Sequence, residues 1–265
     1  MDVDFARELI ALNNRFYAQN AVSFSATRSG AWEGWEQVLS VAEKAGLLAT
    51  ANPLRVLDAA CGNMRFLRFL RERLPSTQLA YLGIDACDDL AGGANTADAA
   101  SGTASASYWH VNILDELLAG TDPFDGVPAA DLTACFGFMH HVPGTALRQK
   151  LIAALAEHTA PGGIIAISFW RFMGDARLAA KALTAEQKAS AALPFPGYRK
   201  GLLEPGDHLL GWQDSVGSFR YCHHADEDEI DELVAHVAPR ARELARFSAD
   251  GKTHTLNRYV VLQRL

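Results

Sequence analysis

The chain has 265 residues, 49% hydrophobic and 21% charged, enough to bury a substantial core in one large α/β domain or two small ones. Its net charge of −7 argues against binding nucleic acid over the whole surface, while leaving room for a local basic patch. Four scattered cysteines with no Cys-x-x-Cys pair, no basic and apolar leader, and no run approaching about 18 apolar residues read as reduced thiols in the cytoplasm, with no signal peptide or membrane span.

Apolar residues at helical spacing predict a helix over 3–18 and a second over Trp32 to Leu48, closed by Gly46 and Pro53. Ser23 to Gly30, which includes Thr27 and Arg28, is a polar break between them, and residues 1–50 form a helical N-terminal cap. From residue 54 the period changes. Strands are predicted at 54–58, 79–84, 107–111, 130–136 and 163–169, with helices at 64–73, 87–98 and 144–158. Strands alternating with helices imply a parallel sheet with right-handed crossovers. Residues 171–222 break the alternation with a helical pattern over 176–193 and then a Pro- and Gly-rich stretch; six basic residues against two acidic ones make the part from Arg171 to Lys200 cationic. A loop-rich segment of this length in a compact domain is a functional element, here an inserted cover. An acid-rich helix start follows at 226–237, then strands at 241–247 and 257–263 joined by Ser248-Ala249-Asp250-Gly251. The whole, 1–265, reads as one domain.

The chemistry concentrates on Leu54 to Phe69. An apolar strand ends in Asp58, the small-residue turn Ala59-Ala60-Cys61-Gly62-Asn63 follows, and a helix opens at Met64. Strand, tight turn and helix bring backbone N–H groups to a ligand at the carboxyl end of a parallel strand. The second strand also ends in an acid, Asp85, followed by Ala86; an acid there can accept both hydroxyls of a ribose. Asn112, after the third strand and before Ile113, has the donor and acceptor needed to read an adenine edge. Phe136 ends the fourth strand, and His140-His141 follow it, where active sites of open α/β sheets form. No third or fourth ligand stands at a metal-binding spacing from that histidine pair, so no metal is expected. Tyr17, Trp32, Trp170 and Trp212 are each able to stack on a base, though each alone is more often core.

These residues resemble a class I S-adenosylmethionine-dependent methyltransferase. Asp58-Ala59-Ala60-Cys61-Gly62-Asn63 is similar to that superfamily's first motif, Asp85 to its ribose-binding acid, and Tyr108 to Ile113 to its adenine-contacting segment. Pro161-Gly162-Gly163 resembles its usual lead into strand five, and the terminal hairpin its antiparallel ending. The resemblance implies a Rossmann-like α/β fold with a seven-stranded, mostly parallel sheet, an antiparallel C-terminal strand, the helical cap and the inserted cover. It implies S-adenosylmethionine as cofactor, held by Arg28, Asp58, Ala60, Gly62, Asn63, Asp85, Ala86, Asn112, Ile113 and Phe136. An NAD-binding Rossmann domain is the competitor; it would want more glycines in the first turn and has no reason to end in a hairpin.

A narrower resemblance is to the methyltransferases that esterify carboxymethyluridine at the tRNA wobble position. It rests on Phe24-Ser25-Ala26-Thr27-Arg28 to Trp32, Cys61-Gly62-Asn63-Met64-Arg65-Phe66, Met139-His140-His141, and Gly206-Asp207-His208 to Trp212 with Arg220-Tyr221-Cys222-His223. It implies tRNA as partner, with an accessory subunit possible, and puts Arg28 on a carboxylate of the cofactor or substrate. Four departures stand against it: Ala60 and Met64 replace glycines, Asn112 an acid and Cys222 a tyrosine. Ala60 is expected to be harmless, whereas a side chain at Met64 threatens to crowd the ligand. A carboxylate acceptor needs no general base, whereas a hydroxyl acceptor would call on His140 or His141. Two alternatives stay open: a small-molecule carboxyl or hydroxyl methyltransferase, and a cofactor-binding pseudo-enzyme.

Overall fold

Four buried apolar runs and a more polar, largely exposed edge strand build the parallel part of the sheet at the points where the sequence changes period. The computed structural model describes residues 1–27, 30–91, 104–212 and 218–265. Strands β1 (Leu54–Ala59), β2 (Leu79–Asp85), β3 (Ala104–His110), β4 (Ala130–Cys135) and β5 (Thr159–Trp170) run parallel. Later in the chain come β6 (Asp207–Gly211), β7 (Phe219–His223), β8 (Ala241–Ala249) and β9 (Asn257–Arg264). The main sheet has the order β3-β2-β1-β4-β5-β9-β8, with β9 antiparallel to both neighbours, as the sequence predicts; β6 and β7 form a separate antiparallel hairpin. The order reverses between β1 and β4, so a crevice opens above their carboxyl ends.

Both faces of the sheet are covered, which explains why Ile164, Ile165, Ala166 and Ile167 are all fully buried in β5. One face takes α6 (Ile113–Ala119), α7 (Thr145–Glu157) and α9 (Glu227–Val237). The other takes α2 (Glu33–Lys44) and α4 (Arg65–Arg73), with Trp35, Phe66, Phe69 and Phe136 in mutual ring contact. Short helices α3 (Leu47–Thr50) and α5 (Asp88–Ala91) complete the set on this side of the chain. Above the crevice, α1 (Val3–Ala26) packs on α8 (Ala176–Ala192) and the β6-β7 hairpin through Phe5, Leu9, Phe195, Tyr198, Leu209 and Tyr221. The N-terminal cap and the inserted cover thus share one apolar cluster and form one roof. Among the described residues, no helix is long and apolar enough to cross a membrane.

Four expectations are corrected. Helix α1 runs to Ala26, through the first half of the expected polar break, because Ser23 and Thr27 hydroxyls bond back to the carbonyls of Asn20 and Phe24 while Phe24 packs on Tyr17. The Trp32–Leu48 pattern is divided at Gly46, whose φ of +82° ends α2 and starts α3. The cover holds a β-hairpin, where only Pro- and Gly-rich chain was expected. Helix α6 was not expected at all; of the helix expected over 87–98, α5 is the described part, and 92–98 lie outside the described residues.

Candidate functional site

The turn after β1 is built from left-handed residues. Ala60, Gly62 and Met64 take φ of 61°, 51° and 53°, which folds the chain back so that α4 starts beside the end of β1. Met64 caps α4 with its backbone, and its side chain is 2% exposed within the apolar cluster under the sheet. The expected crowding by Met64 is therefore corrected: the side chain turns into the core, and Ala60, Cys61, Gly62 and Asn63 face the cavity. A Cβ at Gly62 would meet nothing within 4 Å, so this stretch of backbone stands open to a ligand. Ala60, expected to be harmless, carries the same left-handed cost as Met64, on the order of 1 kcal/mol.

Asp85 fastens this turn. Its carboxylate accepts the backbone N–H of Gly62 at 2.8 Å and that of Cys87 at 2.9 Å. Burial raises its pKa, and the backbone N–H bonds oppose that rise. Asp58 is buried at the end of β1 against the hydroxyl of Tyr81, and desolvation raises its pKa to about 7, with the Tyr81 hydrogen bond pulling the other way. Two carboxylates at adjacent strand ends, both short of water, suit a ligand that brings a cation and hydroxyl groups.

One cavity of about 970 Å³ lies over these strand ends. Every described site residue predicted from sequence lines it: Asp58, Ala60, Gly62, Asn63, Asp85, Ala86, Asn112, Ile113, Phe136, His140 and His141. Arg28 lies outside the described residues. The role expected of Asn112 is corrected in part. Its side chain caps α6, accepting from the N–H of Asp115 at 3.3 Å and donating to the Asp115 carboxylate at 2.6 Å, so its amide is already committed on both sides.

The roof supplies the other wall. Tyr17 Oη lies 2.7 Å from His141 Nε2, and His141 Nδ1 lies 3.1 Å from the carbonyl of Tyr221. Both ring nitrogens of His141 are engaged, Nδ1 by the Tyr221 carbonyl and by Asn13 Nδ2 at 3.2 Å, and Nε2 by the phenol. Asn13 joins α1 to β7 by pairing with the backbone of Tyr221, at 2.7 Å to its N–H and 3.1 Å to its carbonyl. His140 packs between His141 and Trp170 in tilted contacts, with ring centroids at 4.0 and 5.0 Å.

The sequence reading missed Arg220 as a site residue. Its guanidinium is 5% exposed, lines the cavity, and stands over four rings, with centroids of Phe16, Phe24, Trp170 and Trp212 at 5.2 to 5.8 Å. It donates to Tyr17 Oη at 3.3 Å, and its Nε has no partner. The sequence signal was present, since an arginine sits inside the apolar strand β7. The expectation that no third ligand approaches the histidine pair is also corrected, because β7 carries Cys222 to within 4.0 Å of His141 Nδ1, and the three candidate ligand atoms lie within 4.8 Å of one another. The Cys222–His141 separation exceeds the roughly 3.5 Å edge of a tetrahedral zinc site. Burial also pushes the Cys222 thiol up to about 11, so the donor set is a protonated thiol beside a committed imidazole.

No protein-family model matches this chain, nor does any curated protein. Solved structures do. A SAM-dependent methyltransferase from Methanosarcina mazei superposes with a TM-score of 0.56 at 16% identity, covering 80% of this chain and 92% of that one. Magnesium protoporphyrin IX methyltransferase from Synechocystis PCC 6803, solved with bound SAM, gives 0.56 at 13% identity over 95% of each chain. An S-adenosylmethionine-dependent methyltransferase from Clostridium acetobutylicum gives 0.55 at 12% identity, over 94% and 98%. The protein has the Rossmann-like fold of the class I S-adenosylmethionine-dependent methyltransferases.

Proposed function

We propose that this protein is an S-adenosylmethionine-dependent methyltransferase acting on a carboxylate-bearing acceptor. The observation that carries the reading is the Asp85–Gly62 closure of the turn after β1, at the switch point of a sheet with this strand order. The residues present fit the cofactor. Asp85 accepts backbone N–H groups of the turn and of the chain after β2 and has lone-pair capacity left for ribose hydroxyls, and Gly62 leaves the backbone open on the cavity side. Asp58 offers a carboxylate to the amino acid end, while Ile113 and Phe136 offer apolar surface. S-adenosylmethionine bound there supplies an electrophilic methyl group on a positively charged sulfur. The roof excludes water and orients the acceptor, the contributions that an in-line displacement chiefly asks of a protein.

A carboxylate acceptor agrees with a site in which both nitrogens of His141 are already occupied. The sequence resemblance puts that carboxylate on a modified uridine of tRNA. The cover speaks for a smaller acid, because Arg171 pairs with Glu227 at 2.6 Å and Lys200 with Glu186 at 3.2 Å, which reduces the cationic surface left for phosphates. Titration with bulk tRNA separates the two: strongly salt-dependent binding supports the tRNA substrate, and its absence leaves the small acid. A second reading, a hydroxyl acceptor, draws on the 2.7 Å contact between Tyr17 and His141, a geometry able to pass a proton. Incubating the protein with labelled cofactor and fractionated metabolites or RNA, followed by mass spectrometry, tests the function; a methyl ester is expected, and no labelled product from any fraction would refute it.

A further inference from the structure

We infer that Arg220 and the rings around it form a receptor for a single carboxylate carried on a flat ring, so that the acceptor is an aromatic or heteroaromatic acid. The inference deepens the methyltransferase reading and rests on it for the identity of the neighbouring compartment.

A buried guanidinium normally sits against a carboxylate, because desolvating an unpaired charge is costly. Elsewhere in this protein that rule holds: Arg148, 1% exposed, meets Glu229 at 2.6 Å. Arg220 is the contrast. Among the described residues no carboxylate reaches it; its hydrogen bond is to the Tyr17 hydroxyl, and its Nε is buried without a partner. What surrounds it is aromatic. Ring faces at 5.2 to 5.8 Å stabilise a cation by on the order of 1 kcal/mol each when desolvated, which offsets part of the desolvation cost and places no anion on the fork. Arg220 also lines the cavity, so a ligand there is met by the terminal N–H groups of the fork, while Nε itself stays buried.

The chemistry of the missing partner follows. A planar fork of N–H donors matches a carboxylate bidentately. A doubly charged phosphate fits less well, since one of its charges would go unmatched in a cavity that already contains Asp58, Asp85, Asp88 and Asp250. Trp170, Trp212 and Phe24 line the same cavity, and a flat ring attached to the acid stacks on them at little conformational cost. Tyr17 then acts as a positioning residue: its hydroxyl accepts from Arg220 and is hydrogen-bonded to His141 Nε2, which fixes the fork's orientation.

The test is calorimetric titration of the full chain, with and without S-adenosylhomocysteine, using phenylacetate and its neutral counterpart phenylacetamide as probes. Phenylacetate should bind the wild type at least tenfold more tightly than phenylacetamide, and Arg220→Gln should abolish that preference; Arg220→Lys, which keeps the charge and loses the fork, should fall between. Undiminished S-adenosylhomocysteine binding by the variants shows that they are folded; should Arg220→Gln not fold, the comparison rests on the wild-type preference and Arg220→Lys. Equal binding of the two probes, no binding of either at about 10 mM, or a preference that survives in Arg220→Gln would each overturn the assignment. Failure of the methyltransferase reading shows separately, as absence of S-adenosylhomocysteine binding with the probe preference intact.

Discussion

The phenol of Tyr17, on α1, is hydrogen-bonded to Nε2 of His141 at 2.7 Å, and Nδ1 of His141 lies 3.1 Å from the carbonyl of Tyr221. A helix of the cap, the turn after β4 and a strand of the cover are thereby joined through one imidazole. If the acceptor is a carboxylate, this chain only positions. Tyr17→Phe should then lower methyl transfer by less than about tenfold, with no rising limb near neutral pH in the rate profile of the acceptor identified by mass spectrometry. A hydroxyl acceptor would instead lose about a hundredfold or more, the usual contribution of a general base.

Asp58 links stability to function. Its folded pKa of about 7 stands above the ordinary 3.8, so the folded state binds the proton more tightly than the unfolded chain does. The stability this contributes is fully present below pH 3.8 and is lost as pH rises through about 7. Asp58→Asn keeps an acceptor for Tyr81 and removes the buried charge. It should raise stability at pH 8 by on the order of 2 kcal/mol in denaturant melts, while weakening cofactor binding. A less stable variant at pH 8 would contradict this account of the site.

The roof is anchored by His223, whose Nδ1 meets Asp207 at 2.7 Å and whose Nε2 meets Glu229 at 2.6 Å. Burial alone would lower its pKa; the hydrogen bonds to Asp207 and Glu229 outweigh burial, and the net shift is upward from 6.5. The contribution is therefore present below pH 6.5 and is lost as pH climbs through the raised value. Glu229, despite desolvation, is held below 4.5 by His223 and Arg148, so its share is lost as pH falls through that lowered value. Thermal melts should show a stability plateau between the two. His223→Gln should cost roughly 3 kcal/mol on that plateau and flatten its alkaline edge.

Met64 and Ala60 share left-handed backbone but should respond in opposite ways to glycine. Met64→Gly relieves about 1 kcal/mol of backbone strain but empties a site that is 2% exposed, a loss of roughly 2–4 kcal/mol, so it should destabilise the protein. Ala60→Gly gives up little burial and should stabilise by about 0.5 kcal/mol. Denaturant midpoints of the two variants check the contrast.

The sheet was legible in the sequence because its central strands are apolar runs closed by turn signals, and the acids Asp58 and Asp85 stand at strand ends. The roof was far less so. Helix α1 overran a polar stretch because its hydroxyls bond back to the helix and Phe24 supplies tertiary packing. The β6-β7 hairpin was hidden by glycines and prolines around it. Asn112 looked like a base reader because an amide at a strand end serves a ligand or a helix cap equally well, and only the position of Asp115 decides. The importance of Arg220 depends on what does not surround it, which no one-dimensional pattern records.

The closed turn between Gly62 and Asp85 is the proposed seat of S-adenosylmethionine. Calorimetric titration of wild-type protein and Asp85→Ala with that cofactor tests it most directly. Micromolar binding by the wild type and at least tenfold weaker binding by the variant are expected. No wild-type binding at about 1 mM, or an unchanged dissociation constant in Asp85→Ala, would contradict the account.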